Sequence, residues 1–195
     1  MSTKALLERL RQDSEVREIL AWPLDFELSL SEYEFGWYVV KPPAAAETIA
    51  RDGTGGVFLL YGSDEYLIHI TSEGQAGVIA RDLAEGIALM VAYPFWRDLL
   101  KFSGGGQLKE MRRVVPFLER EMHEDFPEID EQRALVRGKL SFTATGDPIE
   151  LLHRAVVELG QGIVVAARDG TEFRSLFNTF TVDSNPTWRQ GITNG

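Results

Sequence analysis

The sequence predicts an α+β fold: a curved, mostly antiparallel sheet flanked by helices, with a C-terminal strand–helix–strand extension. Three observations predict it. Residues 57–80 hold three short apolar runs joined by turns too brief for a parallel crossover. Amphipathic stretches opened by helix-capping residues lie on either side of those runs. A continuous apolar run at 162–167 follows another helix-like stretch, as expected of a strand covered on both faces. The chain has 195 residues, 44% of them hydrophobic and 26% charged. That suits one domain, or one domain with an extension, and excludes a chain too polar to collapse.

Taken in order, the first twenty residues read as helix, capped by Ser2 or Thr3, with Leu6, Leu7 and Leu10 on one stripe. Asp13-Ser14 starts a second short helix bearing Val16, Ile19 and Leu20, which Pro23 closes. Residues 24–40 alternate apolar and polar through Phe26, Leu28, Leu30, Tyr33, Phe35, Trp37 and Val39, a strand pattern that Pro42-Pro43 ends. Runs at 57–61, 66–71 and 76–80 form an antiparallel meander. In its middle strand Tyr66, Ile68 and Ile70 face one way and Leu67, His69 and Thr71 the other. Asp82 with Glu85 three residues on resembles a capping box, and Leu83, Ile87, Met90 and Val91 follow as a buried stripe. Pro94 interrupts this helix before Phe95, Trp96, Leu99 and Leu100, and Gly104 to Gly106 form a flexible break. A further amphipathic helix carries Leu108, Met111, Val115, Leu118 and Met122, with Pro116 inside it.

Between 121 and 131 lie six acidic residues and no Lys or Arg, which suggests a boundary between residues 1–130 and 131–195. Past it, Val136, Leu140 and Phe142 alternate with Arg137, Lys139 and Ser141 as a strand. Asp147-Pro148 then opens a helix with Ile149, Leu152, Ala155, Val156 and Leu159 as its stripe. Gly160 ends it ahead of the 162–167 strand, with a right-handed crossover expected between the two strands. The polar tail after Asn178 is expected to fray.

Chemistry is harder to locate. A net charge of −10 disfavours nucleic-acid backbones. No stretch approaches the roughly 20 apolar residues of a membrane span, and the charged N-terminus lacks a signal-peptide core, so a cytoplasmic location is expected. Without Cys there is no thiolate nucleophile, zinc cluster or disulfide framework. His69 is expected to be a hydrogen-bonded structural residue and His153 a surface one. His123-Glu124-Asp125 looks metal-like, but the second histidine of a helical zinc motif would fall at Pro127, so no metal site is assigned. Gly53-Thr54-Gly55-Gly56 precedes a strand rather than a helix, so it reads as a turn and not a phosphate cradle. Aromatics such as Trp22 and Trp37 read as core edge. The thirty Asp and Glu leave a carboxylate-pair hydrolase open without singling out a pair. No catalytic residue and no cofactor is assigned.

The order of features from Arg51 to Leu100 resembles the SUKH superfamily, which includes the yeast cell-wall-assembly regulators and many bacterial toxin-immunity proteins. A glycine turn (Gly53, Gly55, Gly56) enters an apolar strand, and a second strand leads to Ser72-Glu73-Gly74. A strand ending Gly77-Val78-Ile79-Ala80 then runs into a helix with Leu83-x-Glu85. The resemblance implies a protein-binding domain rather than an enzyme, either an immunity protein that neutralises a nuclease-type toxin or a related regulator. A basic protein partner would meet exposed acids, for which Asp64, Glu65, Glu121, Glu124, Asp125 and Glu128 are the candidates. Two other readings stay open: the small hydrolase, and an oligomerising module in which the C-terminal unit pairs between chains.

Overall fold

The computed structural model describes residues 2–28, 36–141 and 146–193. Among these, the chain is α+β, with an open antiparallel sheet and helices packed on it. Leu30, Tyr33, Phe35 and Phe142, used in the strand readings above, lie outside the described residues.

Helices α1 (Thr3–Gln12) and α2 (Ser14–Ala21) begin where capping chemistry places them. Ser2 accepts from the Ala5 amide and Asp13 from the Val16 amide, satisfying donors that the first turn leaves open. Strands β1 (Glu27–Leu28) and β2 (Tyr38–Lys41) bracket the 24–40 stretch and join different sheets, so it is not one strand. Strands β3 (Ala46–Arg51), β4 (Val57–Tyr61), β5 (Tyr66–Ile70) and β6 (Ala76–Ala80) complete a five-stranded sheet of order β1-β3-β4-β5-β6, antiparallel throughout. Register shifts at Thr48/Ala50 and Leu67/Ile68 bend and twist it.

Both faces of this sheet are covered, which is why every residue of β4 is buried and its sequence is apolar without interruption. Phe58, Leu60, Leu67 and Ile79 face the helices; Val57, Leu59, Ile68, Ile70 and Val78 face a smaller cluster. That second cluster is closed by Ala155 and Val165. Val165 lies in β7 (Val164–Ala167), which pairs antiparallel with β2.

The helical layer contains α3 (Leu83–Ala92), α4 (Trp96–Lys101), α5 (Leu108–Asp125), α6 (Ile129–Leu140) and α7 (Pro148–Arg154). Asp82 caps α3 through the Glu85 amide, and Glu85 accepts in turn from the Arg81 amide. Pro94 separates α3 from α4 as expected, whereas Pro116 sits within an unbroken α5. The glycine break at 104–106 is tied down: Gly104 and Gly105 donate to the carbonyls of Phe180 and Asn178, both at 2.8 Å.

Two expectations are overturned. Residues 136–140 form the end of α6, not a strand, so among the described residues no strand–helix–strand crossover is present and β7 takes β2 as partner. The inward residues of α6 are Ile129, Arg133, Val136 and Leu140, a helical spacing. The tail does not fray at 179–188: Val182 and Trp188 are buried in the main cluster. Residue 130 lies inside α6, and residues from both sides of that point share the main cluster.

Candidate functional site

Among the described residues, a densely hydrogen-bonded polar group forms where β3 turns into β4. Asp52 follows β3, and its Oδ1 accepts from the Thr54 amide (2.8 Å), the Thr54 hydroxyl (2.7 Å) and the Gly56 amide (2.8 Å). An aspartate bonding its own downstream backbone is the reason such residues start turns. Gly56 is obligatory, because a Cβ there would lie 2.3 Å from Asp52 Oδ2 and 2.8 Å from the Ile70 carbonyl. Gly55 supplies the left-handed backbone of the turn at φ 90°. The Gly53 amide donates to Asp25 Oδ1 at 2.6 Å. The glycines predicted from sequence therefore shape a carboxylate clamp around Asp52. Gly74 holds φ 80° in the β5–β6 turn, and a Cβ on Gly77 would press Leu176 at 3.1 Å.

Asp52 Oδ2 receives His69 Nε2 at 2.9 Å and Arg97 Nη1 at 3.3 Å, while Arg97 Nη2 bonds Asp25. His69 comes from β5, on the face opposite Ile68 and Ile70, and the structure shows that this face meets the helices. Its ring stacks on Phe58 (4.6 Å) and meets Trp96 edge-on (5.1 Å). Both partners are almost inaccessible, His69 at 1% and Asp52 at 3% exposure. Burial pushes Asp52 toward neutrality, but the hydrogen bonds from His69 and Thr54 outweigh it and hold the carboxyl well below its usual range. Burial lowers His69 below its ordinary value, keeping the imidazole neutral near pH 7. An ionised carboxylate only accepts, so Nε2 carries the ring proton and Nδ1 keeps a lone pair. A cavity of about 250 Å³ opens beside this group, lined by His69, Thr71, Ser72, Arg97, Lys101 and Asn178 among others.

The acidic residues singled out from sequence fall in two separate places. Asp64 and Glu65 are exposed in the β4–β5 turn, beside a groove shared with Tyr66 and Glu158. Glu124, Asp125 and Glu128 are exposed at the end of α5 and the turn after it. Glu121 is different: it accepts a hydrogen bond from the Trp188 indole and serves the packing of the tail, not an open surface. Trp22 departs from its expected place in the core edge. It is 70% exposed, its ring edge-on to Phe126 at 5.3 Å.

His123 meets Glu119 and Asp130, not Glu124 or Asp125. Its Nε2 bonds Asp130 at 3.0 Å and its Nδ1 the Glu119 carbonyl at 2.7 Å. The Glu119 and Asp130 carboxylates also hold the buried Arg133, at 2.6 and 3.2 Å, so a guanidinium stands where a metal would need those oxygens. The Asp130 hydrogen bond raises His123 above its ordinary 6.5. Its stabilising effect is therefore present below pH 6.5 and lost as pH rises through the higher folded value. An NMR titration is expected to show that raised midpoint, and Asp130→Asn to return it toward 6.5; a midpoint at or below 6.5 in the parent chain would refute the pairing. His153 is half-buried rather than superficial, with Nε2 2.9 Å from the Gly106 carbonyl.

The Asp52–His69–Arg97 group was not identified as a set from sequence. A signal existed: a histidine on an inward strand face requires a partner, and the aspartate heading a glycine turn supplies one across the hairpin. Comparison with family models, curated proteins and solved structures finds no match to this chain. Among the described residues, no helix is long and apolar enough to cross a membrane.

Proposed function

We propose that the chain is a protein-binding domain of SUKH type, an immunity-like protein or related regulator whose partner is a basic protein, such as a nuclease-type toxin. One observation carries the reading: an exposed Trp22, seated on Phe126, next to unneutralised carboxylates. Asp125 and Glu128 flank Phe126 in sequence and make no ion pair among the described residues, while Glu124 reaches only Arg120, at 3.8 Å. Tryptophan is enriched at interface anchor points, where a partner's pocket removes it from water. Carboxylates at the end of α5 add to the negative end of the helix dipole, a placement that costs stability rather than adding it. They are better explained by attraction to a cationic surface, which raises association rates and selects the partner. The glycine turn, the meander and α3 following β6 also occur in the order on which the SUKH resemblance rests.

The hydrolase reading has less support, since several pairs of carboxylates that converge are held by a guanidinium: Asp25 and Asp52 by Arg97, Glu119 and Asp130 by Arg133, Asp147 and Glu150 by Arg112. The oligomer reading is weakened because β7 is paired within the chain, with β2 on one edge and residues 171–173 on the other. The test is capture of the partner from the native host on immobilised parent chain, its identification, and affinity measurement with the purified partner. Trp22→Ala is expected to weaken binding about 30-fold or more, the equivalent of ~2 kcal/mol, without loss of folding. Affinity should fall with added salt, and more shallowly in a chain with Glu124, Asp125 and Glu128 changed to Gln. Salt-independent binding, or binding unchanged by Trp22→Ala, would defeat the proposal.

A further inference from the structure

The cavity beside His69 is distant in kind from the acidic surface and independent of the protein-binding reading. It holds an unused acceptor. Asp52 fixes the ring proton on Nε2, and Nδ1 has no hydrogen-bond partner among the described residues, although the ring lines the cavity and is 1% exposed. Nδ1 is not among the sealed side-chain atoms that lack a partner, so it is open to the cavity, a free acceptor placed to meet a donor that enters.

The remaining lining defines the class of ligand. Lys101 forms no ion pair among the described residues; its ammonium lies 5.5 Å from the Phe102 ring and its charge acts on Asp98. Glu73 and Asp98 line the same cavity, also without ion pairs among the described residues. Arg97 is already committed to Asp25 and Asp52. A simple anion entering here would meet two carboxylates, and a simple cation would meet Lys101. A molecule carrying both charges satisfies the whole wall. The volume, about 250 Å³, lies below the range of roughly 300–1,000 Å³ typical of drug-sized ligands and suits a small metabolite.

We propose that this cavity binds a small zwitterion of the free α-amino-acid class. Its ammonium group donates to His69 Nδ1 and to the Glu73 and Asp98 carboxylates, and its carboxylate pairs with Lys101. The buried clamp on Asp52 serves to aim the acceptor nitrogen before the ligand arrives, so little reorganisation accompanies binding.

The experiment is NMR of the full chain labelled at histidine, with the twenty common amino acids titrated individually and acetate and methylammonium as single-charge probes. The free protein should show His69 as the Nε2–H tautomer. At least one amino acid should shift the His69 ring signals saturably, with acetate and methylammonium each weaker by about tenfold or more. Lys101 is exposed, so Lys101→Met leaves the fold intact; it should weaken binding about tenfold or more, and Lys101→Arg should restore most of it. An Nδ1–H tautomer, the absence of any saturable shift, equal binding of acetate or methylammonium, or indifference to Lys101→Met would each overturn the proposal.

Discussion

Asp52→Ala is expected to reduce folding stability by about 3–5 kcal/mol, the scale found when one member of a buried hydrogen-bonded charge pair is removed. The cost follows from what the carboxylate holds. Its loss leaves the Thr54 and Gly56 amides, His69 Nε2 and one nitrogen of Arg97 without their acceptor, in a place water barely reaches. Each orphaned buried donor costs on the order of 1–3 kcal/mol, and the terms overlap because the turn can relax. Asp52→Asn should fall between the two, since the amide keeps one oxygen but turns an NH2 toward donors. Chemical denaturation measures the difference, and a loss below about 1 kcal/mol for Asp52→Ala would show that the clamp does not hold the turn. The pH dependence separates the two partners. Asp52 is depressed in the folded chain, so its stabilisation is present above its ordinary 3.8 and lost as pH falls toward the lower folded value. His69 is also depressed, so the unfolded imidazole takes its proton first and stability declines as pH drops below 6.5. Both act in the same direction, and the parent chain is expected to weaken in acid, with Asp52→Ala lacking the component near pH 3.8 and below.

The parts of this fold that can be read from sequence are those fixed by neighbours in the chain. The meander follows from turns too short for anything but antiparallel pairing, and the alternation of 66–71 correctly puts Leu67 on the face opposite Ile68 and Ile70. Caps at Asp13, Asp82 and Asp147 mark three helix starts because each bonds an amide two or three residues on. Failure comes where one spacing fits two periods. Val136, Gly138 and Leu140 satisfy a strand's period of two and, at an interval of four, a helix. What decides is Arg133, one turn before, held inward by Glu119 from α5, a contact no local pattern reveals. The site is illegible for a related reason. Asp52, His69 and Arg97 are brought together by the β4–β5 pairing and by α4 packing on the sheet, so their chemistry depends on contacts across 17 and 45 residues. Trp22 illustrates the converse, since an aromatic residue in an apolar context gives no sign of which face will be left uncovered.

Trp188→Ala is expected to cost about 3–5 kcal/mol, the usual range for truncating a buried tryptophan, and to lower the melting temperature on the order of 10 °C. Trp188 is 2% exposed, packed on the Phe102 ring at 4.6 Å and the Phe117 ring at 5.5 Å. It sits in α8 (Pro186–Thr193), in the stretch whose polar sequence suggests fraying, and it draws Val182 and the preceding turn onto α5. Trp188→Phe keeps most of the apolar volume but releases the Glu121 hydrogen bond, so it should cost about 1 kcal/mol. The pair of variants also decides what Glu121 is for. As the acceptor of a docked indole, its change to Ala should lower melting and leave association with a basic partner within about twofold, opposite to changes at Glu124, Asp125 and Glu128. Melting of Trp188→Ala within a degree or two of the parent would mean that the tail is not seated on α5 in solution, and would return Glu121 to the acidic surface.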